Sequence, residues 1–326
     1  MSYNLADRLV IGIASSALFD LAESGAVFRD EGEESYRRYQ EEHVDAPFTP
    51  GVAFPFIQRL LSLNDIASVD DPLVEVIVMS RNDPDTGLRV MRSVAYHKLG
   101  ISRAIFTQGR SPYLYIPVLN MSLFLSANED DVRNAIAQNY PAGQVLASAY
   151  TDDNSKELRI AFDFDGVLAD DKSEQIFRQH GLQDFQQHEV TNVVTPHSPG
   201  PLRDFLANVN KIQKREEQRF CEDDSYSRRV RVSIVTARSA PAHERAVASL
   251  KAWGVTVNDA FFLGGIDKGA IMPVLRPHIF FDDQKPHLLS TAQSVPSVHV
   301  PFGSNNRSLP SASTAIAENM LPVQAE

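Results

Sequence analysis

A single cysteine, Cys221, occurs in 326 residues. One thiol excludes an intrachain disulfide framework and a cysteine zinc site, and reads as an incidental free thiol. Long apolar runs are missing, so no membrane span is expected. The opening MSYNLADRLV lacks both a basic region and a signal-type apolar core, which makes the cytoplasm the expected location. Basic runs are missing as well. A net charge of -11 with no long Lys/Arg stretch to offset it argues against a nucleic-acid partner. KIQKREEQR is mixed in sign and reads as a solvated helix face. What is present, 43% hydrophobic and 22% charged residues, describes a soluble globular chain long enough for two ordinary domains. On so acidic a chain, an anionic substrate would need positive charge concentrated at its site by a metal ion and a few placed Lys or Arg residues.

The most informative stretch runs from Glu157 to Asp171, ELRIAFDFDGVLADD. Leu158, Ile160 and Phe162 alternate with polar or small residues, which predicts a buried strand, and the strand ends in Asp163 and Asp165 followed by Gly166. In open α/β sheets the ligand crevice lies beyond the carboxyl ends of the strands. Residues two apart on an extended chain point the same way, so both carboxylates face one site, and Gly166 permits a sharp turn beside them. Like charges held this close raise each other's pKa unless a cation intervenes. A hard divalent ion with oxygen ligands, Mg²⁺, answers that need.

Strand and helix patterns recur along the chain. RLVIGIASSALFDL reads as a strand, a small-residue turn and a helix; EGEESYRRYQEEH as a charged helix; Phe54 to Leu63 as a short apolar one. Val74 to Met79 is a buried strand ending in Ser80-Arg81-Asn82, with a helix from Gly87 to Leu99 and strands at Ala104 to Phe106 and Leu123 to Leu125. The second half repeats the order, with strands at Val230 to Val235, Ala260 to Leu263 and Ile279 to Phe281 and a helix from Ala242 to Trp253. Strands separated by helices predict a parallel sheet with crossover connections. Ser80 and Thr236, Gly109 and Gly265, Pro117 and Pro273, and Phe124 and Phe280 are each 156 positions apart. Two related α/β lobes are therefore expected, over 1–150 and 151–302. With the first strands offset by 149 or 150, Asp163 falls opposite Ala14 or Ile13 and Asp165 opposite Ser16 or Ser15. Asp282 and Asp283 fall opposite Ser126 and Ala127, so the first lobe keeps the scaffold and loses every carboxylate.

In the second lobe four elements fall at predicted strand ends: Asp163 with Asp165, then Thr236, then Lys268, then Asp282 with Asp283. Parallel strands bring them to one edge of the sheet. For phosphoryl transfer, Asp163 is the candidate nucleophile and Asp165 the acid and base. Asp282, helped by Asp283, would complete a Mg²⁺ site with Asp163 and the Asp165 carbonyl. Thr236 and backbone N–H groups near Ala237 would hold phosphoryl oxygens, with Arg238 within reach of the phosphate, and Lys268 would offset accumulating charge. His180, His188 and His197 lack metal-helix spacing, and His278 and His287 read as bystanders.

DFDGVLADD, the Thr after SIV, the Lys after FFLGG and the FFDD pair resemble the four motifs of the haloacid dehalogenase-like hydrolase superfamily. SEQIFRQHGLQDFQQHE, TARSAPAHERAVASLKAWGV, AFFLGGIDKG, SRNDPDTGLRV and LFLSANEDDVR resemble the cytosolic 5'-nucleotidase type I family, over most of residues 8 to 300. The resemblance implies an α/β fold: a Rossmann-like, haloacid dehalogenase-type parallel-sheet core with a helical cap insertion, beside the degenerate N-terminal lobe. It implies Mg²⁺-dependent hydrolysis of nucleoside 5'-monophosphates, AMP frequently among them, with Asp163 as nucleophile and Asp165 as acid/base. Phe164, between the two acids, departs from the small residue expected there. The insertion at about 172–229 is the natural cap, and Phe177, Phe185 and Phe205 are candidates to stack on a base. The tail 303–326, rich in Ser, Asn, Ala and Pro, is expected to pack loosely. Alternatives are a phosphatase or phosphotransferase on another phosphate ester, and a nucleotide sensor using Ser80-Arg81-Asn82, Gly109-Arg110-Ser111 and Asn128. The first lobe also suits a structural platform or a homo-oligomer surface.

Overall fold

The computed structural model describes residues 4–68 and 71–306. The apolar runs become β1 (Leu9–Ala14), β2 (Val74–Ser80), β3 (Arg103–Phe106), β4 (Leu123–Ser126) and β5 (Ala142–Val145) in the first half. In the second they become β6 (Leu158–Phe162), β7 (Val230–Thr236), β8 (Asp259–Phe262), β9 (Ile279–Asp282) and β10 (Ser297–His299). All ten join one sheet in the order β3-β2-β1-β4-β5-β10-β9-β6-β7-β8. Neighbours run parallel except β5 and β10, which pair antiparallel at the centre. β1 and β2 are buried at every residue, as strands covered on both faces must be.

The covering helices of the first half are α1 (Ser15–Leu18), α2 (Ala22–Glu42), α3 (Phe54–Ser62), α4 (Pro84–Tyr96) and α5 (Glu129–Ala137). Those of the second are α6 (Lys172–Thr191), α7 (Arg203–Glu222), α8 (His243–Ala252), α9 (Met272–Leu275) and α10 (Lys285–Thr291). The charged helix expected from residue 31 is the second part of α2, which bends at Gly32 (φ 86°, ψ -176°). α6 bends the same way at Gly181 (φ 83°, ψ -175°). That backbone region is nearly closed to residues with a Cβ. α7, within the stretch expected to form the cap, sets Phe205, Leu206 and Val209 into the core under the sheet. There the Phe205 ring meets Phe162 and Phe281, each with its centroid 5.9 Å away. Phe205 is thus a core residue and unavailable for stacking on a ligand.

The two halves repeat each other in register. Leu9 pairs with Val74 as Leu158 pairs with Val230, and Ile11 with Leu123 as Ile160 with Ile279. These pairings select the offset of 149 for the first strands, placing Ala14 opposite Asp163 and Ser16 opposite Asp165. Side-chain ties repeat too: Ser93 Oγ accepts from the Phe48 N–H (2.9 Å) as Ser249 Oγ does from the His197 N–H (3.0 Å). Direct bonds cross between the halves. Asn208 Nδ2 donates to Ser122 Oγ (2.7 Å), and Arg59 pairs with Asp152 (2.7 Å). Among the described residues, no helix is long and apolar enough to cross a membrane. The expected loose tail lies outside the described residues from 307 onward; its first part, Ser304–Asn306, is a 3₁₀ turn.

Candidate active site

Four strand ends of the second half converge. β6 delivers Asp163, whose N–H donates to the Phe281 carbonyl of β9 (2.8 Å), locking the start of the loop to the sheet. Gly166 follows with φ +72°; a Cβ there would lie 2.5 Å from Asp283 Cγ, so only glycine lets the loop pass this close to β9's end. Phe164 points away from the carboxylates into packing, stacked on Trp253 at 6.0 Å and edge-on to His197 at 5.4 Å. The bulky residue between the acids is thereby accommodated beneath the loop.

Lys268 lies in a 3₁₀ turn, fully buried, with Nζ 2.6 Å from Asp163 Oδ2 and 2.7 Å from Asp282 Oδ2. Burial pulls the ammonium's pKa down, and the two carboxylates outweigh it and hold the pKa above the usual lysine value. Burial raises the Asp163 pKa to about 6, against the opposing pull of Lys268. Asp282 is committed on both oxygens, accepting from the Gln284 N–H (2.8 Å) and from Lys268. Its pKa is lowered because Lys268 and His287 overcome the effect of burial. His287 Nδ1 stands 3.3 Å from Asp282 Oδ2, and that proximity raises the imidazole pKa.

Asp283 is different. It is 2% exposed, its Oδ1 has no hydrogen-bond partner, and burial followed by the charges of Asp282 and Asp163 pushes its pKa well above the carboxylate range. A buried carboxylate oxygen without a partner is costly unless protonated or bound to a cation. Carboxylates such as those of Asp163 and Asp283 are the oxygen donors that a hard divalent ion takes. Asp163, Asp282 and His287 also present ligand atoms within 4.8 Å of one another. A second group, Asp152, Asp153 and His278, is drawn together by arginines: Arg59 takes Asp152 at 2.7 Å and Arg159 takes Asp153 at 2.5 Å.

Beside this cluster, Arg238 grips Asp165 with two parallel bonds, Nε to Oδ2 and Nη2 to Oδ1, both 2.7 Å. Its remaining nitrogen donates to Glu189 of α6 and to the Ala242 carbonyl (3.1 Å). Glu189 is fully buried and also accepts from Ser173 Oγ (2.7 Å) and Arg245 (2.9 Å), with His197 Nε2 3.2 Å away. Burial would raise its pKa; His197 and Arg238 reverse this and hold it far below the usual glutamate value. Arg238, expected within reach of the phosphate, has its guanidinium shared between Asp165 and Glu189. Thr236 is buried, its Oγ1 accepting from the Arg238 N–H (3.3 Å), and Ala237 is exposed. Above, Phe177 and Phe185 of α6 meet edge to face, centroids 6.0 Å apart.

The molecule is an α/β protein with a buried carboxylate–lysine site at the carboxyl edge of a parallel sheet. The family model described as 5'-nucleotidase matches residues 1–307, and the chain belongs to that family. It is 32% identical over 294 residues to cytosolic 5'-nucleotidase 1B of Homo sapiens, covering 86% of this chain and 47% of that protein. The chain thus spans about half the length of this curated relative. No solved structure matches the chain.

Proposed function

We propose that the chain is a cytoplasmic, Mg²⁺-dependent 5'-nucleotidase that hydrolyses nucleoside 5'-monophosphates, AMP among those favoured, through an aspartyl-phosphate. The second half would be a haloacid dehalogenase-type core and the first half its degenerate relative. The observation that carries the reading is the meeting of buried Asp163 and Asp282 on Lys268, next to Asp283 with its unpartnered Oδ1, in a chain of the 5'-nucleotidase family.

Asp163, Asp283 and the Asp165 carbonyl would hold the metal, which when bound would offset negative charge on the phosphoryl oxygens. Asp163 attacks phosphorus and the bond to the nucleoside 5'-oxygen breaks, with Asp165 giving that oxygen a proton. Water then attacks phosphorus, Asp165 takes its proton, and the bond to Asp163 breaks to release phosphate. Lys268, between Asp163 and Asp282, supplies a fixed positive charge at the nucleophile. α6 acts as the cap that excludes water, with Phe177 and Phe185 facing the base. A test is phosphate release from a panel of nucleoside monophosphates and glucose 6-phosphate. Release from the nucleotides alone supports the reading, and release from the sugar phosphate alone contradicts it.

A further inference from the structure

A cavity of about 680 Å³ lies in the other half, at the carboxyl ends of β2 and β3 and under α2. It is the counterpart of the candidate active site. Its floor includes Asn82, opposite Arg238 at an offset of 156, and Asn128, opposite Gln284 at the same offset. Its roof includes Phe28 and Tyr36, opposite Phe177 and Phe185 at an offset of 149. The aromatic pair has kept its geometry, 5.6 Å and 84° in α2 against 6.0 Å and 80° in α6. Tyr36 Oη is tied to Asn82 Oδ1 at 3.1 Å.

The parts suited to phosphate and metal have not been kept. Ala14, Ser16, Ser126 and Ala127 stand where the four acids stand in the second half. The cavity's guanidiniums already have carboxylates: Arg81 is bound to Asp131 at 2.6 and 3.1 Å, and Arg37 to Asp83 at 2.6 Å. Their charge is thus already offset, which weakens the pull on an anionic group. A flat, uncharged ring with polar edges suits the space better, since aromatic faces and side-chain amides line it. A cavity of this size accommodates a ligand of a few hundred daltons.

We propose that this cavity is a non-catalytic binding site for the nucleoside moiety, an aromatic base on its ribose, offered as free nucleoside or as nucleotide. The proposal rests on the nucleotidase reading of the second half for its choice of ligand class.

The test is isothermal titration of the full chain carrying Asp163→Asn with adenosine and, separately, AMP. It is repeated after adding Gly25→Trp or Phe28→Ser. Gly25 lines the cavity, and a Cβ there approaches only Arg29 Nη1, at 3.3 Å, so a large side chain fills the space without entering the core. Phe28 is 52% exposed, so losing its ring spares folding. The expected result is adenosine binding that each added substitution weakens at least tenfold. Binding indifferent to both substitutions, no binding of adenosine, or binding of AMP alone would each overturn the proposal. Phosphate release from AMP is measured in parallel on the otherwise native chain and on Gly25→Trp. No release from either, with adenosine binding still sensitive to Gly25→Trp, would defeat the nucleotidase reading and leave the cavity assignment standing.

Discussion

Arg238 joins two functions that a smaller cation would separate, because one planar fork holds Asp165 while its third nitrogen holds Glu189 of α6. Asp165 must release and regain a proton during turnover, so its alignment is coupled to the position of α6. Arg238→Ala leaves Glu189 buried without one of its cations. It should destabilise the fold by about 3–5 kcal/mol, and Arg238→Lys, which lacks the fork, should lower kcat about 10- to 100-fold with a smaller stability loss. Thermal melts and steady-state phosphate release check both; unchanged kcat in Arg238→Lys would sink the coupling. Asp163 adds a pH signature. Its pKa of about 6 in the fold exceeds the value of about 4 expected when unfolded. Its contribution is thus fully present below pH ~4 and is lost as pH rises through ~6. A cation replacing the proton regains that loss, so Mg²⁺ should raise Tm more at pH 7.5 than at pH 5; equal shifts at both would contradict the metal assignment. Asp163, Asp165 and the Asp282-Asp283 pair were legible because they follow directly on patterned strands, and Lys268 because it comes after one with only a short turn between. Glu189 was not, lying in the last turn of a helix, away from any strand end. Its one signal is the repeat, where it stands opposite Gln40, which accepts from Arg89 (3.3 Å) as Glu189 does from Arg245.

Among the elements, α2 and α6 carry the same glycine bend, and α6 is tied to a site carboxylate, Asp165, through Glu189 and Arg238. Gly181→Ala and Gly32→Ala meet no atom within 4 Å, so their cost is backbone strain alone, about 1–3 kcal/mol each. Both should lower Tm similarly, and only Gly181→Ala should also lower kcat/KM for phosphate release. Equal kinetic effects would show that the α6 bend does not serve the site. The principal strands were readable from apolar patterning. β5 (AGQV) and β10 (SVH) were not, since short segments without alternation carry no period. The bends were hidden because the residues flanking Gly32 and Gly181 are ordinary helix formers, and only the backbone angle reveals the break.

For the whole molecule, the repeat implied two lobes, and the β5–β10 pairing merges them into one ten-stranded sheet. Charged ties reinforce the seam, among them Arg229 to Asp65 at 2.5 Å. The chain should therefore unfold in one transition by calorimetry and by circular dichroism, and two separated transitions would show that the halves are energetically independent. The fused sheet places a carboxylate-rich cluster and a counterpart cavity that lacks those four strand-end acids on a common scaffold. The account depends most on the first of these. Its central test is phosphate release from AMP, with Mg²⁺ and with EDTA, by the native chain and by Asp163→Asn. The account predicts metal-dependent release that falls at least about 10³-fold in the variant, and release indifferent to EDTA or to the substitution would contradict it.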